Sequence, residues 1–195
     1  MLQKTRTKII QIFKKNRGYM NFEQLRNADV TVVQMRELEE EGILHHFARG
    51  WYWCSACGFE KPADYKYIEI AKVDPEAVIC LDSACFLNGL QVIEPEEIRV
   101  ATARDDRKKI DIDFPIKRYY LTHLEIGKYT NVRKTEFGSY RYFAMERALY
   151  DSLHAPAKLL PENIDAIREE CTRNTDRIRK YELFLRKYKR SKRGS

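Results

Sequence analysis

Cys54 and Cys57, spaced C-x-x-C and followed by Gly58, could form half of a zinc knuckle, because two thiolates on one tight turn occupy one side of a metal tetrahedron. The other cysteines do not complete it. Cys80 and Cys85 stand apart from any such spacing and Cys171 is alone, so buried thiols at a strand end are expected and no metal. Asp82, Glu97, Asp111 and Asp113 are carboxylates of the kind that hold Mg²⁺ for phosphodiester hydrolysis. Glu97-x-Arg99 lacks the lysine such sites carry, and the acids run beside Arg104, Arg107, Lys108 and Lys109. There is no Ser/His/Asp or Cys/His constellation and no phosphate-cradling glycine loop. The chain is therefore expected not to be an enzyme and to need no cofactor, with a metal-dependent nuclease as an alternative. Tyr119, Tyr120, Tyr129, Tyr140 and Tyr142 could line a ligand pocket, or serve simply as half-buried strand residues.

The remaining chemistry is cationic. The chain has 195 residues and a net charge of +7, which favours acidic partners, nucleic acid first. Lys4, Arg6, Lys8, Lys14, Lys15 and Arg17 occur in residues 4–17 with no acid between them. Arg186, Lys187, Lys189, Arg190, Lys192 and Arg193 form a second such run. Such runs are also what solvated helix faces and tails look like.

What must position these cations is the stretch Asn21–Trp53. Asn21 with Gln24 and Thr31 with Gln34 are two capping boxes, separated by the turn Asn27-Ala28-Asp29. Gly42 follows the second helix, and His45–Ala48 and Trp51–Trp53 flank Arg49-Gly50 as strands flank a tight turn. Helix, turn, helix and β-wing predict a winged helix-turn-helix, preceded by a helix over 5–17 that Gly18 ends. Phe22, Leu25, Val30, Met35 and Leu38 are its expected core. Thr31, Val32, Gln34, Arg36 and Glu37 are the expected exposed start of the third helix, the part that a recognition helix presents to the major groove. Gln34 cannot both complete the capping box and read a base, so Arg36 leads, pairing bidentately with guanine. Glu39, Glu40 and Glu41 must then face away from phosphate. Arg49 at the wing tip, with Lys14, Lys15 and Arg17, completes the expected DNA-binding set. His45 and His46 are expected to be ordinary surface or packing residues.

At 44% hydrophobic and 12% aromatic, the chain can bury a real core. No apolar run approaches the ~20 residues of a membrane span. A soluble, cytoplasmic protein with reduced thiols is expected, with no membrane partner. The fold class is α+β, in three parts: 1–57 as the winged helix-turn-helix, 58–72 as linker and bridging helix, and 73–195 as a mixed α+β domain ending in helices. In the last part, Ala77–Leu81 is a buried run, Asp82 or Ser83 caps a helix ending at Asn88-Gly89, and Ile98–Ala103 and Ile116–Leu121 are strands. Arg133–Phe143 is a hairpin, and helices follow from Met145, over Pro161–Cys171 and over Thr175–Lys189.

Several of these pieces, in this order, resemble the AbiEi-type antitoxins of abortive-infection toxin–antitoxin systems. They are Glu41-Gly42-Ile43-Leu44, then Ala48-Arg49-Gly50-Trp51-Tyr52, then Ala77-Val78-Ile79-Cys80 leading into Ser83-Ala84 and Asn88-Gly89-Leu90. Ile98-Arg99-Val100-Ala101 and the segment from Phe137-Gly138 through Tyr142-Phe143 to Met145-Glu146-Arg147-Ala148-Leu149-Tyr150-Asp151 continue the likeness. The resemblance implies a winged helix that binds operator DNA and represses its own operon, as monomer or dimer on inverted repeats. It also implies a C-terminal domain that neutralises a nucleotidyltransferase-class toxin and helps in DNA binding. An orphan regulator sensing a ligand through its C-terminal domain is the alternative.

Overall fold

Helix α1 (Gln3–Lys15) turns Ile9 and Phe13 inward and carries Lys14 and Lys15 in its last turn, where the helix dipole favours cations. These positions come from a computed structural model that describes residues 1–154 and 164–192, with side chains through Tyr188. The Asn16 side chain closes α1 by donating to the Ile12 carbonyl at 2.9 Å. Arg17 and Gly18 then reverse the chain at φ 53° and 82°. Gly18 is required twice over, by its φ and because a Cβ there would lie 2.4 Å from the Trp53 ring.

Strand β1 (Tyr19–Asn21) leads into α2 (Phe22–Asn27), and α3 (Val32–Glu40) follows. Both helices begin with complete capping boxes, Asn21 with Gln24 and Thr31 with Gln34. Gly42, at φ 70°, turns the chain into β2 (Leu44–Ala48), which pairs with β3 (Trp51–Cys54). The three strands form an antiparallel sheet in the order β1-β3-β2. A bulge between His46 and Ala48 breaks the alternation along β2. Phe47 and Ala48 are consequently both buried, while His45 and His46 are both exposed. Ile9, Phe13, Leu25, Val30, Met35, Leu38, Ile43 and Cys54 form the core beneath. Phe22 departs from expectation: it is 40% exposed, because the first position of α2 sits beside the hairpin turn and outside this core.

The chain divides into two compact units, the first comprising residues 1–75, 108–114 and 134–140 and the second the remainder. The first unit thus runs past residue 57 and takes in 58–72. That segment packs instead of linking: Lys61 pairs with Glu69, Phe59 meets Phe137 edge-on, and α4 (Tyr65–Val73) buries Tyr67, Ile68 and Ile70.

The second unit is built on β4 (Val78–Ile79), β5 (Ile98–Ala103), β6 (Ile116–Leu121), β7 (Thr130–Thr135) and β8 (Gly138–Phe143), in the sheet order β6-β5-β4-β8-β7. The hairpin tip 134–140 counts with the first unit. β4 runs antiparallel to β5 and parallel to β8, and β5 runs parallel to β6. α5 (Leu81–Leu87) starts after Cys80, with neither Asp82 nor Ser83 as its cap. The Asp82 carboxylate accepts from the Ser83 amide within the first turn, and the Ser83 hydroxyl accepts from the Arg99 amide. A short helix that the apolar pattern does not announce, α6 (His123–Gly127), is set by a capping box of Thr122 and Glu125. α7 (Met145–Leu153), α8 (Ile164–Thr172) and α9 (Thr175–Lys192) follow. Positions 161–163 of the expected helix, and Arg193 of the basic run, lie outside the described residues. Val78, Ala84, Cys85, Leu90, Ala101, Phe143, Ala148, Leu149 and Ile167 make the core, and Phe184 of α9 is buried as well. On α7, buried Arg147 donates to Asp151 one turn on and lies over the Phe143 ring at 4.6 Å. The mixed α+β class expected from the sequence is thus observed.

Candidate functional site

The residues singled out for DNA contact all lie in the first unit. At the start of α3, the Thr31 hydroxyl accepts from the Gln34 amide at 3.3 Å, and Gln34 Oε1 accepts from the Thr31 amide at 2.9 Å. Both side chains are engaged in holding the helix end. Val32 is 54% exposed, and Val33, outside the set expected from the sequence, is 67% exposed. Arg36 is exposed and has no ion-pair partner among the described residues. Glu37 is half-buried and pairs with the Met1 amino group at 3.0 Å, and Glu41 pairs with Arg6 at 3.0 Å. At about 100° per residue, Val32, Arg36 and Val33 share one sector of the helix surface. The signal that could have found Val33 is this same period, counted from Arg36 backwards by three as well as by four.

Arg49 occupies the β2–β3 turn, exposed and without an ion-pair partner among the described residues, as are Lys14 and Lys15 of α1. The turn is rigidly held. The Gly50 amide donates to His46 Nε2 at 3.2 Å, the Gly50 carbonyl accepts from the Phe22 amide at 2.7 Å, and His46 stacks on Tyr52. Arg17 is less free: it pairs with Glu136 at 3.3 Å and lies over the Phe59 ring. His45 is bonded to Asp113 at 2.5 Å.

Behind the hairpin, α4 supplies a buried polar cluster. The Tyr19 hydroxyl and the Lys61 ammonium both donate to Glu69 Oε1, at 3.1 and 2.8 Å, and the second carboxylate oxygen has no partner among the described residues. Burial pushes the Glu69 carboxyl above the usual carboxylate range, against the pull of Lys61. Lys72 lies over the Tyr19 and Trp51 rings at 4.6 and 5.6 Å, and burial pushes its ammonium below the ordinary lysine range. Charge and aromatic faces together fix the sheet on α4.

Three of the four carboxylates considered as metal ligands, Asp82, Asp111 and Asp113, have other partners. Asp82 is buried against Arg99, 3.1 Å from its Nε, and Arg99 in turn donates to the Tyr119 hydroxyl at 2.6 Å. Asp111 pairs with Lys109, and Asp113 with His45. Among the described residues, no three His, Cys, Asp or Glu side chains are grouped to hold a metal ion. Asp82 and Arg99 do line a cavity of about 370 Å³ together with Glu94, Glu96 and Glu97. The tyrosines are divided among separate elements, with Tyr129 just before β7 and edge-on to Phe184. Tyr119 and Tyr120 lie on edge strand β6 and Tyr142 on β8, with β5 and β4 between, while Tyr140 is buried against Tyr67. The five cysteines are free and buried. Among the described residues, no helix is long and apolar enough to cross a membrane.

In comparison with known proteins, the chain matches no protein-family model, and no curated protein matches its sequence.

Proposed function

We propose that the first unit is a winged helix-turn-helix that binds double-stranded DNA, with α3 as the recognition helix and the β2–β3 hairpin as the wing. The observation that supports this reading most is the presence, on one unit, of an exposed α3 face bearing Arg36 and a braced hairpin turn bearing Arg49, both without an ion-pair partner among the described residues. Arg36 would read a base, while Arg49, Lys14 and Lys15 would neutralise phosphates. Arg17, already engaged with Glu136, would contribute less. The likeness to AbiEi-type antitoxins extends this to a repressor of its own operon whose second unit neutralises a nucleotidyltransferase-class toxin.

The test is binding of the full chain to a labelled fragment of its own promoter across a salt series. Affinity should fall with a log–log slope near −0.9 per phosphate neutralised. Binding that hardly changes between about 50 and 200 mM salt would overturn the electrostatic mode. Arg49→Ala should weaken binding to every sequence alike, whereas Arg36→Ala should relax preference at one base, by roughly 1–3 kcal/mol. Unchanged preference in Arg36→Ala would show that α3 is not the reading element. For the antitoxin role, co-expression with a nucleotidyltransferase encoded beside this gene should restore growth. Growth arrest that persists would leave a repressor alone.

A further inference from the structure

We infer that the start of α3 reads the 5-methyl groups of thymine, with Val32 and Val33 as the contacts and Arg36 between them taking an adjacent guanine. This rests on the DNA-binding reading above and adds to it the class of base recognised. The polar side chains that could have read bases from the first turn, Thr31 and Gln34, are held in the capping box by two hydrogen bonds. Apart from Glu37, which is part-exposed one turn after Val33 and paired with the Met1 amino group, the first turn and a half offers outward two valines and one arginine. Val32 and Val33 take no part in the core under α3, which is made by Val30, Met35 and Leu38. Valine is also a weak helix former, so neither helix propensity nor packing explains two of them side by side on the solvent face. The thymine methyl is the apolar group that base edges show in the major groove, and a β-branched side chain meets it with little rotamer freedom to lose. Val32 and Arg36 stand four residues apart and Val33 and Arg36 three, so the three side chains form one contiguous patch. A cation in the middle of that patch, without an ion-pair partner among the described residues, suits the strongly negative DNA surface better than it suits an apolar protein partner.

The experiment uses the full chain and a duplex selected by it from a randomised pool. Each thymine of the selected site is replaced in turn by deoxyuridine, which lacks only the methyl. Affinity should drop about fourfold at one or two adjacent positions, the loss expected for one buried methyl. Val32→Ala and Val33→Ala should each weaken binding to the thymine site and leave the uracil-substituted site unaffected, a coupling that a merely structural role would not produce. Both valines are exposed, so thermal melting of the variants reports that the fold is intact. Selective binding that is indifferent to deoxyuridine at every position would overturn the inference while leaving DNA binding standing. DNA binding with no selected sequence would overturn it in the same way. Absence of any DNA binding would overturn both readings. A change in sedimentation mass in Val32→Ser, with methyl-indifferent DNA binding, would instead identify the patch as a protein contact.

Discussion

Gly18 and Glu69 show how much a single side chain, or its absence, settles in the first unit. Gly18 combines φ 82° with a Cβ position 2.4 Å from the Trp53 ring, so Gly18→Ala adds backbone strain to overpacking. The expected loss is about 2–4 kcal/mol of unfolding free energy, read by denaturant titration. Glu69 is fully buried, and burial raises its carboxyl above the usual range even with Lys61 bonded to it. A raised carboxyl binds its proton more tightly in the folded chain. It therefore favours folding at acid pH, and that contribution is lost as pH climbs from about 4 through the raised value. Glu69→Gln keeps an acceptor for Tyr19 and removes the titration. Relative to the native chain, the variant should gain stability steadily between acid and neutral pH. Parallel stability curves across that range would show that Glu69 does not titrate abnormally.

At the scale of elements, α3 depends on the residue that caps it, Thr31. Thr31→Ala removes the hydroxyl that caps the Gln34 amide and should cost roughly 0.5–2 kcal/mol, measured by denaturant unfolding. In the second unit, Leu149 of α7 is fully buried in the core, and Leu149→Ala should cost about 2–5 kcal/mol in the same measurement. These elements were legible to very different degrees. The capping boxes at Asn21 and Thr31 and the strands 98–103 and 116–121 could be read directly, because each is decided by residues within a few positions of one another. The β2 bulge could not, since it depends on how His46 and Ala48 register against Tyr52 and Trp51. Nor could the start of α5: a polar pair at 82–83 looks like a cap, but the chain turns one residue earlier, at Leu81 with φ 49°.

For the molecule as a whole, the thiols give the broadest test. Burial pushes Cys54 up to about 11 and Cys85 up to about 12, and raises Cys80 and Cys171 as well. At about pH 8, the folded chain should react slowly with a thiol reagent, and unfolding should release all five thiols. A rapid native-state equivalent would mean that one of them is not buried as described. The charge of +7 acts at the same scale, by attracting polyanions at long range, and it says nothing of which surface they meet.

The sequence alone determined the local grammar: where helices begin and end, where glycine must turn the chain, which runs are apolar enough to be strands, and that the cations outnumber the acids. Each of these follows from interactions between near neighbours. Only the tertiary structure decided that residues 108–114 and 134–140 complete the first unit, that Tyr19 and Lys61 meet over Glu69, that Phe22 stays exposed, and that Tyr119 and Tyr120 on β6 are separated from Tyr142 on β8 by two strands. Those outcomes depend on strand order and on contacts between residues tens of positions apart, for which the local pattern of side chains carries no signal.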